Sequence, residues 1–143
     1  MELARQYGNG PVSIRELADK AQVSATYLEQ LFKRLREAQV VSSIRGAQGG
    51  YMLAAPPDQI RIGQVLRPLE GSMAPVICAE EGFNCSNSDW CVESFLYKRI
   101  RQSIDGVIDT ITLQGMLDEE KKKCRAPLNI QCISTDSELI GGF

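Results

Sequence analysis

Three cysteines, Cys78, Cys85 and Cys91, fall in one short Gly/Asn/Ser-rich stretch of a chain that contains no histidine. Thiolates are soft ligands, so the chemistry within reach is the holding of iron, an iron-sulfur cluster or zinc. The spacing is C-x6-C-x5-C. Spacers of that length let three thiolates converge at low loop-closure entropy. Structural zinc prefers C-x2-C pairs, which makes the wider spacing a poorer match for zinc. Three ordinary buried thiols are the alternative. An enzyme is disfavoured: there is no histidine base, no glycine-rich phosphate loop and no nucleophile with an evident partner. Water on a three-cysteine zinc is the one catalytic option left open.

The elements that must position these thiols belong to a chain of 143 residues, long enough for one domain or a small domain with an appended element. A hydrophobic fraction of 43% and a charged fraction of 24% are those of a soluble globular protein. No apolar run approaches the roughly 18 residues of a membrane span, and Met1-Glu2-Leu3-Ala4-Arg5 lacks the features of a secretory signal. The expectation is a cytoplasmic protein with no membrane partner, in a reducing compartment where thiolates bind metal more often than they form disulfides. The net charge of -2 is uneven. Up to Glu70 nine Lys/Arg stand against seven Asp/Glu, a balance of +2, and from Gly71 seven stand against eleven, a balance of -4. The basic excess is small and lies wholly in the first half of the chain.

That basic half carries a DNA-reading pattern. Met1 to Tyr7 reads as the end of a helix stopped by Gly8-Asn9-Gly10-Pro11, and a helix so short predicts that its first part is absent from this chain. Ser13-Ile14-Arg15-Glu16 is a capping box opening a helix of about two turns. Ser24 caps a second helix, Ala25 to Ala38, with Leu28, Leu31, Phe32 and Leu35 at helical spacing and Tyr27, Gln30, Lys33 and Arg34 turned elsewhere. Two helices across a short turn are a helix-turn-helix, whose second helix enters the major groove; a plain pair of packed helices is the alternative. Val40 to Ile44 and Tyr51 to Leu53 then read as two strands joined by a glycine-rich tip carrying Arg45, which makes a wing. An arginine there is placed to probe the minor groove, or is simply solvated.

Tyr27 to Phe32, Leu35-Arg36, Val41 to Gly46 and Gly49-Gly50-Tyr51 resemble the signature of the IscR-type winged-helix regulators of iron-sulfur cluster biogenesis, over Met1 to about Leu117. The resemblance implies roughly a dozen further residues in front. It implies major-groove and phosphate contacts from Ser24, Thr26, Tyr27 and Gln30, and a minor-groove contact from Arg45. Glutamine can pair with adenine and hydroxyls can reach phosphates, which agrees with those roles. Glu29 is implied as a discriminator between two classes of DNA site; an i to i+4 pair with Lys33 is the other reading of it. The resemblance also implies a [2Fe-2S] cluster on Cys78, Cys85 and Cys91, with [4Fe-4S] as the alternative, delivered by the iron-sulfur assembly machinery. The chain departs from the pattern in two ways. One extra residue separates the first two cysteines, and Ser94 stands where the family has its histidine ligand. The fourth ligand is then Glu93, Ser94 or Asp89, a residue preceding Met1, Cys124 or an exogenous thiol, with a carboxylate or hydroxyl near Cys91 preferred.

Ile60 to Leu69 reads as a short element packing back on the wing module. From Val92 to about Thr112 a helix carries Leu96, Ile100, Ile104, Val107, Ile108 and Ile111 as an apolar stripe with Lys98, Arg99, Arg101 and Asp105 opposite. Such a stripe packs on its own domain or, as the resemblance implies, on its copy in a homodimer reading double-stranded DNA at a roughly palindromic operator. Ile111 to Leu117 resembles the family's short closing helix, and the charge runs and polar tail beyond it read as mobile. Cys124 and Cys132 there have no evident role. The fold expected is mainly α with a small β-wing: a winged helix-turn-helix over 1–70, a cysteine loop over 71–91, a dimerisation helix and closing helix over 92–117 and a flexible tail over 118–143. The function expected is a dimeric transcription regulator sensing iron-sulfur status and controlling cluster-biogenesis genes. A nitric-oxide- or cysteine-metabolism-responsive repressor on the same scaffold is the alternative.

Overall fold

A computed structural model describes residues 1–46, 48–80, 82–83, 86 and 90–125. Cys85, Asp89 and Cys132 lie outside the described residues, as does the side chain of Cys124. Helix α1, Glu2–Arg5, buries Leu3 and Ala4 and stops before the glycine turn. Ser13 caps α2, Ile14–Ala21, its hydroxyl accepting the Glu16 amide at 3.2 Å. The reciprocal half of the expected capping box does not form, because the Glu16 carboxylate turns to Lys20 Nζ at 3.0 Å. Gln22 then takes a left-handed conformation and ends the helix. Ser24 caps α3, Ala25–Glu37, which buries Leu28, Phe32 and Leu35.

Strands β1, Val41–Ile44, and β2, Gly50–Leu53, pair antiparallel with Val41 opposite Leu53. Val12 adds a bridge to Tyr51, exchanging both backbone hydrogen bonds at 2.9 and 2.8 Å. Gly50 is required at that crossing, since a Cβ there would stand 2.3 Å from the Val12 carbonyl oxygen. Helix α4 follows as Ile62–Glu70 and a single 3-10 turn as Ile77–Ala79. Helix α5 is Val92–Ile108 and α6 is Leu113–Arg125.

Two boundaries differ from those the sequence pattern predicts. Helix α5 stops at Ile108 rather than near Thr112: the Thr110 hydroxyl donates to the Gly106 and Val107 carbonyls, and the chain beyond is drawn into a bridge between Arg61 and Thr112. The closing helix does not end at Leu117 but runs to Arg125, so residues 118–125 are helical rather than tail. Gln114 to Asp118 and Lys122 to Glu119 contacts line its exposed face, and Arg5 on α1 holds Glu120. Leu113 and Leu117 of α6 join Leu3, Val12, Leu17, Leu28, Phe32, Leu35, Val41, Leu53 and Ile60 in one hydrophobic core. Phe32 meets Tyr51 edge-on at 4.7 Å within it. Among the described residues no helix is long and apolar enough to cross a membrane.

Candidate nucleic-acid interface and cysteine loop

The outer face of α3 follows from its inner one. With Leu28, Phe32 and Leu35 buried, Thr26, Glu29, Gln30 and Lys33 fall together on the opposite side at i, i+3, i+4 and i+7, and all are exposed. Tyr27 stands beside them, 52% exposed. The Ser24 oxygen accepts the Tyr27 amide at 3.2 Å, which leaves its hydroxyl proton free to donate to a phosphate at a helix end that favours anions. Glu29 and Lys33 do not form the ion pair considered from the sequence; neither has a charged partner among the described residues. Arg45 is exposed at the end of β1, followed by Gly46 at φ +125°. The structure therefore gathers Ser24, Thr26, Tyr27, Glu29 and Gln30 at one helix face and sets Arg45 on the wing.

The cysteine loop is anchored at two points. Cys78 sits in the 3-10 turn and Cys91 at the N-cap of α5; both are half-buried free thiols. The Cys91 thiol donates to Glu93 Oε2 at 3.4 Å. The Glu93 carboxyl lies below its usual range, held there first by its own backbone amide and then by that thiol. Ser94, at the family's histidine position, is 7% exposed and so less open to a ligand than Glu93. Among the described residues no three His, Cys, Asp or Glu side chains converge as a metal site.

Helix α5 presents its faces in an order the sequence reading did not anticipate. Arg101 and Asp105, assigned to the face away from the stripe, turn toward the chain and pair with each other at 3.3 Å, beside buried Ile108. The apolar face that remains open starts earlier than expected, with Trp90 (90% exposed), Val92 (80%) and Phe95 (68%) preceding Leu96 and Ile100. From Val92 onward their spacing by threes and fours is visible in the sequence, while Trp90 lies ahead of the helix. Arg67 of α4 forks onto Asp109 with two 2.7 Å contacts and reaches Asp105 at 2.7 Å, a set no short-range pattern marks.

Comparison with known proteins places this geometry. A family profile for Rrf2, described as an iron-dependent transcriptional regulator, matches residues 1–119. The chain is similar to the HTH-type transcriptional regulator CymR of Bacillus subtilis, 40% identical over 81% of this chain and 79% of that one. It is similar to IscR of Sodalis glossinidius, 34% identical over 85% of this chain and 73% of that one. Among solved structures, IscR of T. potens superposes with a TM-score of 0.69 at 38% identity, over 87% of this chain and 82% of that one. CymR of B. subtilis, described as the global cysteine regulator, gives 0.66 at 39% identity over 82% and 86%.

Proposed function

Because the chain belongs to the Rrf2 family of transcriptional regulators, we propose that it works in the cytoplasm as a homodimer on DNA, and that an iron-sulfur cluster held by Cys78, Cys85 and Cys91 sets which operators it binds. The observation that carries this reading is the pair of half-buried free thiols at the two ends of one loop, in a chain whose recognition face stands fully open. The donor chemistry present fits such a cluster: two accessible soft thiols are described, and a carboxylate already lies beside one of them. Bound, the cluster would supply a group whose presence reports iron and sulfide supply.

The rest is the work of the chain's own residues. Two copies joined along the open face of α5 would set two α3 helices about one turn of DNA apart, matching a roughly palindromic operator. Gln30 and Tyr27 would read base edges, Ser24 and Thr26 would hold phosphates, and Arg45 would enter the minor groove. Glu29, with no charged partner among the described residues, would repel most groove surfaces and accept chiefly from the amine of cytosine. Ordering of the cysteine loop would change how α3 is held, and so the penalty Glu29 imposes. Glu93 is the fourth ligand this reading favours.

A second reading is equally supported. The identity to CymR is higher than that to IscR, and Ser94 stands where the resemblance implies a histidine ligand. In that reading the chain represses genes of cysteine metabolism and its loop carries no cluster. Nitric oxide would be the signal in a third variant that keeps the cluster. Visible absorption with iron and sulfide counts, on protein purified without oxygen, separates the two cluster readings from the cysteine-metabolism one, and bleaching of the cluster by nitric oxide separates the first from the third. A red-brown species with about two irons and two sulfides per chain is expected, lost in Cys78→Ala, Cys85→Ala and Cys91→Ala, kept in Cys124→Ala and Cys132→Ala, and more easily lost in Glu93→Gln. Colourless protein that cannot be reconstituted gives the cysteine-metabolism reading instead.

A further inference from the structure

We propose that Arg101 and Arg34 are positioning residues that couple the cysteine-bearing turn to the recognition helix, through Asp105, Arg67 and α4. Arg101 Nη1 donates to the carbonyl of Ala79, the residue next to Cys78, at 2.9 Å. Its Nε donates to Asp105 Oδ2 at 3.3 Å, and the other Asp105 oxygen accepts Arg67 Nη2 at 2.7 Å. Arg67 completes its fork on Asp109. That fork lies directly on the backbone of α4: a Cβ at Gly63 would stand 2.2 Å from Asp109 Oδ1 and 2.5 Å from Arg67 Nη1. At the far end of α4 the Leu69 carbonyl accepts Arg34 Nη1 at 3.0 Å, and Arg34 lies one helical turn beyond Gln30 on α3.

Each link crosses between elements: turn to α5, α5 to α4, α4 to α3. Two arginines share one carboxylate at the centre, so a shift in either is felt by the other. Planar guanidinium forks fix direction as well as distance, which lets displacement pass along the set rather than dissipate in a flexible contact. Cys78 and Ala79 are adjacent in one 3-10 turn. A ligand drawing the Cys78 sulfur toward itself therefore moves the carbonyl that Arg101 holds. Arg101 either follows or releases Asp105, and in both cases the hold of Arg67 on α5 changes and α4 shifts beneath Arg34. This gives the loop and the recognition helix a contiguous path of hydrogen bonds along which coupling can run.

The inference rests on the proposed reading of a DNA-binding chain with a responsive cysteine loop, and a double-mutant cycle tests the two separately. Operator affinity is measured for the full chain as wild type, Arg101→Ala, Arg34→Ala and the double variant, both as purified without oxygen and after removal of iron by a chelator. Arg101 and Arg34 share no contact, and independent distant sites combine to within about twofold. The expected result is a double loss smaller than the product of the single losses by more than about threefold. Arg101→Ala should also keep the visible spectrum while bringing the affinity ratio between loaded and stripped protein close to one. Losses that multiply, or a ratio unchanged in Arg101→Ala, would overturn the coupling. Asp105→Asn gives the same test with less change of shape if Arg101→Ala does not fold. Should the wild type hold no iron, the cluster reading fails, and the cycle in the unloaded protein still decides the coupling.

Discussion

The winged module and α5 solve opposite problems. In the module, Phe32, Leu35, Val41 and Leu53 are buried within one chain, polar side chains face outward, and α6 returns to complete the core with Leu113 and Leu117. In α5 the arrangement is reversed. Arg101 and Asp105 turn inward to meet α4 and the cysteine turn, while Val92, Phe95, Leu96 and Val107 stand in water. A soluble chain rarely leaves so continuous an apolar face open without a partner. The reader of DNA is thus self-sufficient, and the helix beside the cysteines is complete only with something added. Such a division suits a regulator, in which a stable reader is controlled by a region whose structure depends on what binds it.

Three substitutions test this contrast. Phe32→Ala removes a buried ring packed on Tyr51 and should cost about 3 to 5 kcal/mol of stability in denaturant unfolding. Phe95→Ala removes a ring of the same size that is 68% exposed, and should change the stability of the isolated chain by less than about 0.5 kcal/mol. Equal losses in the two would show that α5 is buried as deeply as the core of the module. Leu96→Glu sharpens the distinction, because it places a charge in the open apolar face without touching the module. Sedimentation should then report the 15.8 kDa monomer, with operator affinity falling by roughly tenfold or more, about 1.4 kcal/mol. A dimer of unchanged strength would assign that face to another partner.

The same contrast explains what was legible in the sequence. Ser24 and its helix, the wing strands and the turn glycines are written in short-range signals, caps and periodicities, and they appear where those signals place them. The Glu16 reach was misjudged because Lys20, one turn on, offers a charged partner that outcompetes a backbone amide. Helix α6 runs beyond its expected end because residues distant in sequence hold it, Arg5 gripping Glu120 across the fold. The inward turn of Arg101 and Asp105 is a tertiary choice that a helical wheel cannot reveal, since the ions are satisfied by Arg67 and the Ala79 carbonyl rather than by water. The cysteine spacing was plain, yet the meeting of the Cys91 thiol with Glu93 depends on where the N-cap of α5 falls.

Smaller effects divide the two regions again. Ser24→Ala removes the cap of α3 and should cost about 1 kcal/mol in unfolding, with operator affinity falling as well if the same hydroxyl holds phosphate as proposed. Loss of stability alone would make Ser24 a cap and nothing more.

Asp109→Asn tests the clamp on α5 through pH. The Arg67 fork, chiefly by its hydrogen bonds, holds the Asp109 carboxyl below the ordinary aspartate range. A carboxyl with a depressed folded value contributes stability that is fully present above its unfolded value, near pH 4, and is lost as pH falls through the folded one. Wild type should therefore melt slightly higher than Asp109→Asn at pH 7, and the gap should fade below about pH 4 as the wild-type carboxyl takes up its proton. The effect is small because Asp109 is partly exposed and water screens the pair. A gap that persists undiminished into acid would mean that the asparagine disturbs packing around Gly63, and that α4 and α5 are joined there by shape rather than by charge.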